Sequence, residues 1–103
     1  MTGLNGWKPP HHLSSPTQQW WLDAVHMHCL EEEHHHLLTL AAECWERCQD
    51  ARRLLAEQGL TYRDPEGFAH LRPEVAVERE NLLNYARALD ALGVFLEPPP
   101  EPA

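Results

Sequence analysis

The run LLTLAAECWERCQDARRLL, residues 37–55, decides the fold. Leu37, Ala41, Cys44, Cys48, Ala51 and Leu55 fall at intervals of 4, 3, 4, 3 and 4, and Leu38, Trp45 and Leu54 widen the stripe. Apolar side chains at that spacing share one face of an α-helix, and over so long a run they form a seam suited to packing on other helices. The helix is expected over about 33–58. Glu31-Glu32-Glu33 complements the helix dipole at its start. Gly59 ends it, with Leu60 placed for the hydrophobic contact that accompanies such an end.

Downstream the period changes. Leu60-Thr61-Tyr62-Arg63 and Phe68-Ala69-His70-Leu71 flank Asp64-Pro65-Glu66-Gly67, in which Asp opens a type I turn, Pro fixes its second position and Gly takes the left-handed one. The pattern predicts a β-hairpin over about 60–71. Two strands alone are marginal in water, so the hairpin is expected to lie on a helix or on a neighbouring subunit. Pro73-Glu74 then opens a last helix over about 73–92, where Val75, Arg79, Leu82, Ala86, Leu89 and Gly93 repeat the same spacing.

Upstream, Ser15 reads as a helix cap, Pro16 as the first helical residue and Gln18 as a capping-box partner. Trp20, Trp21, Ala24, Val25, His28 and Cys29 follow at helical spacing, for a first helix over about 16–29. A break is expected near Leu30–Glu33, although neither Gly nor Pro marks it. Residues 1–13 read as an extended arm, with Trp7 as a docking element for its own domain or for a partner. Val94-Phe95-Leu96 reads as a tucked-in apolar tail, and residues 97–103 as a polyproline-like terminus. The expected fold is therefore mainly α. A three-helix core carries a hairpin between its last two helices, within one helical domain over 14–96.

A chain of 103 residues makes one small core, and such a chain leaves much of its surface for partners to cover. The net charge of −8, from 8 basic and 16 acidic residues, excludes a generic polycation that coats nucleic acid. The distribution is uneven. Residues 1–22 hold Lys8 and no acid, residues 23–50 hold seven acids against Arg47, and residues 51–72 hold Arg52, Arg53, Arg63 and Arg72 against three acids. Only the arm and the stretch from the late second helix through the hairpin can face phosphates without repulsion. A helix-turn-helix reading would open its recognition helix on Glu31-Glu32-Glu33, which is physically poor.

Three cysteines argue against a disulfide framework and for free thiols. The first 30 residues lack a secretion-signal pattern and no apolar run is long enough to span a bilayer, so a soluble cytoplasmic protein is expected. His26-Met27-His28-Cys29, His34-His35-His36 and the Cys44/Cys48 pair invite a metal reading, yet no CxxC or HExxH spacing is present. The two cysteines are explained by the seam and the histidines by a solvated turn, and no metal or other cofactor is expected. No nucleophile–base pair, Gly-rich phosphate loop or paired-carboxylate pattern argues for catalysis.

The order of pieces is itself informative. Leu13-Ser14 leads to a helix with Trp21; Glu33-His34-His35 and Leu38–Glu43 follow; then come Arg47, Ala51-Arg52, Gly59–Tyr62, Asp64, Gly67, Arg72–Arg79, Tyr85-Ala86-Arg87 and Leu92-Gly93. Over about residues 9–96 this series resembles the small subunit of tailed-bacteriophage terminases, of the short helical type with a hairpin before the last helix. The resemblance implies a non-catalytic DNA-recognition subunit that forms a ring in the host bacterial cytoplasm. It would bind viral double-stranded DNA near the packaging start and deliver it to the large ATPase/nuclease subunit. Leu71-Arg72-Pro73 stands where relatives often have a His-Pro pair, and the chain lacks room for the separate upstream helix-turn-helix domain of other small terminases.

Two seams in one small domain exceed what a monomer needs, which fits a homo-oligomeric ring. Trp45, Cys48, Leu55, Leu82 and Leu89 are the candidate interface residues, and Lys8, Arg52, Arg53, Arg63 and Arg72 the candidate DNA contacts. The alternative is a helical adaptor or regulator, with or without metal, that acts through protein contacts only.

Overall fold

The computed structural model describes residues 7–100. It contains α1 (Ser15–Met27), α2 (Glu32–Gln58), β1 (Thr61–Arg63), β2 (Ala69–Leu71) and α3 (Glu74–Leu92). The helices α2 and α3 form a long antiparallel pair, α1 packs on α2, and the hairpin forms the connection between the long helices. The molecule measures 63 × 25 × 18 Å, with a radius of gyration of 16.6 Å. About 13 Å is usual for a chain of this length, so the shape is a rod.

Each boundary has a local cause. Pro16 stands in the first turn of α1, as expected, but Ser14 rather than Ser15 is the N-cap and its hydroxyl makes no cap bond. The Glu46 carboxylate of α2 instead accepts from the Ser14 N–H (2.9 Å) and from the Ser14 hydroxyl. A carboxylate there meets the positive end of the helix dipole. Gln18, read from sequence as a capping-box partner, donates to the carbonyl oxygens of Leu13 and His11.

The break between α1 and α2 falls at Cys29, which takes the left-handed conformation (φ 51°) usually given to glycine. The Leu30 N–H then reaches back to the Val25 carbonyl oxygen (3.1 Å). This is the Schellman arrangement built on a cysteine, and it drives Leu30 into the core. A capping box opens α2: the Glu31 side chain accepts from the His34 N–H, and His34 Nδ1 from the Glu31 N–H. Gly59 ends α2 as expected, while Leu60, placed by its sequence position for the accompanying hydrophobic contact, stays 60% exposed. Pro73 occupies the N-cap of α3, one position earlier than the sequence suggested, and Gly93 ends that helix in the left-handed conformation (φ 78°).

The core has two parts. Trp21, Ala24, Val25, Leu30, Leu38 and Leu92 form the first, with Trp7, Val94 and Leu96 packed against it. The second comprises Ala41, Cys44, Trp45, Tyr85 and Ala88 between α2 and α3, with Trp20 and Leu89 at its margin. Trp7 therefore docks on its own domain, and the 94–96 segment is tucked in as expected except for Phe95, which is 85% exposed.

The expected interface residues are placed differently. Trp45, Cys48 and Leu55 are buried within the single chain, and Leu89 is half-buried against Tyr85 and its neighbours. Of the five, Leu82 alone is classed as exposed. The α2 seam is spent on the chain's own α3, because a helical hairpin consumes facing stripes before any second copy can.

Burial raises the Cys44 and Cys48 thiols above the ordinary cysteine range. Two substitutions test the packing. Trp45→Ala should lower the unfolding free energy by about 3 kcal/mol or more in urea titration. Cys29→Gly, which removes the Cβ from a left-handed position, should leave the fold unchanged and raise stability by about 0.5–1 kcal/mol. A loss of stability in the second variant would show that the Cys29 side chain contributes packing instead.

Candidate nucleic-acid interface

The segment with the favourable charge balance ends in the hairpin, so its geometry governs what the basic residues can do. Thr61 pairs with Leu71, Tyr62 with His70 and Arg63 with Ala69. The turn is closed by the Gly67 N–H on the Asp64 carbonyl oxygen (2.9 Å), with Gly67 at φ 93°. Asp64 is its organiser, since one carboxylate oxygen accepts from the Phe68 N–H (2.8 Å) and the other bonds His70 Nε2 (2.8 Å). The His70 bond and then the N–H groups of Phe68, Glu66 and Gly67 hold this carboxyl below the usual aspartate range.

All six strand residues are exposed, and Leu60, Phe68 and Leu71 are 60–69% exposed. Among the described residues, neither strand packs extensively on a helix of its own chain. The hairpin's internal order comes from a cross-strand stack of the His70 and Tyr62 rings (5.4 Å, 28°), with the Arg72 guanidinium 5.9 Å from the Tyr62 ring centre.

The five basic candidates do not form one patch. Arg52 is bonded to Glu78 of α3 (2.6 Å) and Arg53 to Asp50 (2.7 Å), so part of each charge is already met. Arg63 donates to the Gly67 carbonyl oxygen (2.6 Å) and braces the turn. The buried Arg72 Nε has no hydrogen-bond partner among the described residues. Lys8 stands apart, in a groove with Trp7, His35, His36 and Glu43 on the first half of α2. Glu43, the groove residue nearest to Arg52 in sequence, precedes it by nine residues, or roughly 13 Å along the helix.

His11 and His12 of the arm lie near this acidic part of α2, with His12 Nε2 2.8 Å from Glu43. His35 sits between Trp7 (4.3 Å) and Trp21 (5.0 Å), and burial pushes its imidazole below the ordinary range against the raising effects of the Leu30 carbonyl and Glu32. Among the described residues, no three His, Cys, Asp or Glu side chains converge as metal ligands. Among the described residues, no helix is long and apolar enough to cross a membrane.

Sequence reading missed the Tyr62–His70–Arg72 stack, although the alternation of these residues across the predicted turn was the available signal. It also missed Gln49, a buried amide within the α2 seam. No family model, curated protein or solved structure matches the chain.

The hairpin should loosen in acid. A carboxyl with a lowered pKa contributes its full stabilisation above the ordinary aspartate value of about 4, and loses it as pH falls through the lower folded value. NMR should show the Tyr62–His70 cross-strand contacts fading below about pH 4 before the helices melt. Asp64→Asn should weaken those contacts at neutral pH as well. Contacts persisting unchanged in Asp64→Asn would assign the turn's order to Gly67 and Arg63.

Proposed function

We propose that the chain is the non-catalytic DNA-recognition subunit of a viral packaging terminase. In this reading it works as a closed homo-oligomer in the host bacterial cytoplasm, binds viral double-stranded DNA and passes it to the large ATPase/nuclease subunit. The bare hairpin carries the reading. A two-stranded sheet with apolar Leu60, Phe68 and Leu71 uncovered is marginal in isolation, and a neighbouring copy is the natural cover. The rod of α2 and α3 supplies a long flank for side-by-side packing, with Leu82 and Leu83 exposed on it. The ordered resemblance over residues 9–96 supports the same assignment.

A ring also answers the weak electrostatics. One acidic subunit with Arg63 and Arg72 on its hairpin has little affinity for a phosphate backbone, but repetition around a ring multiplies each contact. In this reading Arg63 and Arg72 are the principal contacts, Arg52 and Arg53 contribute less because acids hold them, and Lys8 serves another surface. The helical adaptor is the second reading, favoured by the pairing of Arg52 and Arg53 with acids.

Light scattering at micromolar concentration and physiological salt is expected to give a mass of several subunits, and Leu60→Ser with Phe68→Ser to reduce it. Arg63→Gln with Arg72→Gln should leave the mass intact while lowering the salt slope of DNA binding by about one per lost phosphate contact. A monomer that binds no DNA would overturn the proposal in favour of the adaptor. An intact ring with unaltered slope would move the DNA contact away from the hairpin.

A further inference from the structure

The C-terminal stretch Glu97-Pro98-Pro99-Pro100 has a shape fixed by covalent chemistry. Three prolines hold φ near −65°, and Glu97, Pro98 and Pro99 each precede a proline, which drives them to extended ψ. The segment is therefore a left-handed polyproline helix, which offers carbonyl oxygens along its length but no N–H from its prolines. A surface that reads such a segment needs flat aromatic walls and hydrogen-bond donors.

The protein has that surface, and its own tail lies on it. The Trp20 indole N–H donates to the Glu97 carbonyl oxygen at 2.7 Å, across 77 residues of sequence. Pro99 is buried, and Pro100 lines a cavity of about 200 Å³ together with Trp45 and Gln49. Tyr85 joins the walls, with its ring centre 6.4 Å from that of Trp20 and 5.2 Å from that of Trp45. Tyr85 also lines a groove together with Val94, Phe95 and Leu96.

Two donors on these walls are unspent. Gln49 Nε2 and the Tyr85 hydroxyl are buried without hydrogen-bond partners among the described residues. Burial pushes the Tyr85 hydroxyl up to about 12, so it remains a donor at any physiological pH. A buried unmet donor is costly in a packed core, and Gln49 shares its cavity with Pro100.

We infer that Trp20, Tyr85, Trp45 and Gln49 form a polyproline-recognition groove, whose resident ligand is the chain's own Glu97–Pro100 segment and which accepts proline-rich peptides in trans when that segment is withdrawn. The site is independent of the hairpin and of the DNA-binding reading. Tethering holds the resident segment at an effective concentration of about millimolar, so an external peptide of the same sequence competes poorly with it.

The test uses the full chain labelled with 15N. It carries four tryptophans, and the Trp20 indole resonance is identified by its loss in Trp20→Phe. In the Pro98→Ala/Pro99→Ala/Pro100→Ala variant that resonance should move to the position of a solvated indole. The peptide Ac-EPPPEP-NH2 should return it, while Ac-EAAAEA-NH2 should not. The unmodified chain should need at least tenfold more proline peptide for an equal shift in its tryptophan resonances. The single Pro99→Gly variant, which keeps most of the tail, should show the same responses at smaller amplitude and guards against misfolding of the triple variant. A Trp20 resonance unmoved by either tail variant, or restored equally by the two peptides, would overturn the inference.

Discussion

Everything in this molecule depends on how closely α3 can approach α2. The facing side chains Ala41, Cys44, Cys48 and Ala51 are small and almost wholly buried. They let Ala88 come close and leave room for two large rings, Trp45 and Tyr85, to fill the remaining space at 5.2 Å. Small residues set the distance and aromatic ones take up the volume, which is how a narrow two-helix contact reaches the packing density of a larger core. The hairpin, the docked first helix and the returning tail are all positioned by that pair. Lengthening the seam side chains would separate the helices and remove the floor on which Trp20 rests.

Much of this was legible in the sequence. The 4,3 spacing announced α2 and α3, and Asp64-Pro65-Glu66-Gly67 announced the turn, because both signals are local and each residue's conformation is nearly fixed by its neighbours. The break after α1 was legible in place but not in cause. Cys29 adopts a backbone conformation that its side chain does not advertise, and the Glu46 cap comes from 32 residues away. What periodicity could not decide was the partner of a seam. An apolar stripe reads the same whether it meets another helix of its own chain or a second copy, and here Trp45 met Tyr85 and Ala88 of its own α3 while Cys48 and Leu55 were buried within the chain.

The candidate site was less legible for a related reason. Charge counted along the chain located the non-acidic stretches correctly, but counting does not show which arginines already have an acid beside them. Arg52 faces Glu78 only because α2 and α3 run antiparallel, and that pairing crosses 26 residues. The aromatic contacts of Trp20 and Tyr85 belong to the same class. Each residue looked like ordinary core from its spacing, and only the tertiary return of the tail gives Trp20 a polar partner.

The long-range cap on α1 also has a geometric consequence. A helix lying on a smooth apolar face can slip by a turn, about 5.4 Å, and exchange one set of hydrophobic contacts for a similar one. Here such a slip would pull Ser14 away from the Glu46 carboxylate, whose burial alone would raise its pKa but whose hydrogen bonds to Ser14 and Thr17 and proximity to His12 bring the balance below the usual range. Glu46 thus acts as a registration pin: it leaves α1 one seating on α2, and through Trp20 it gives the returning tail one place to land.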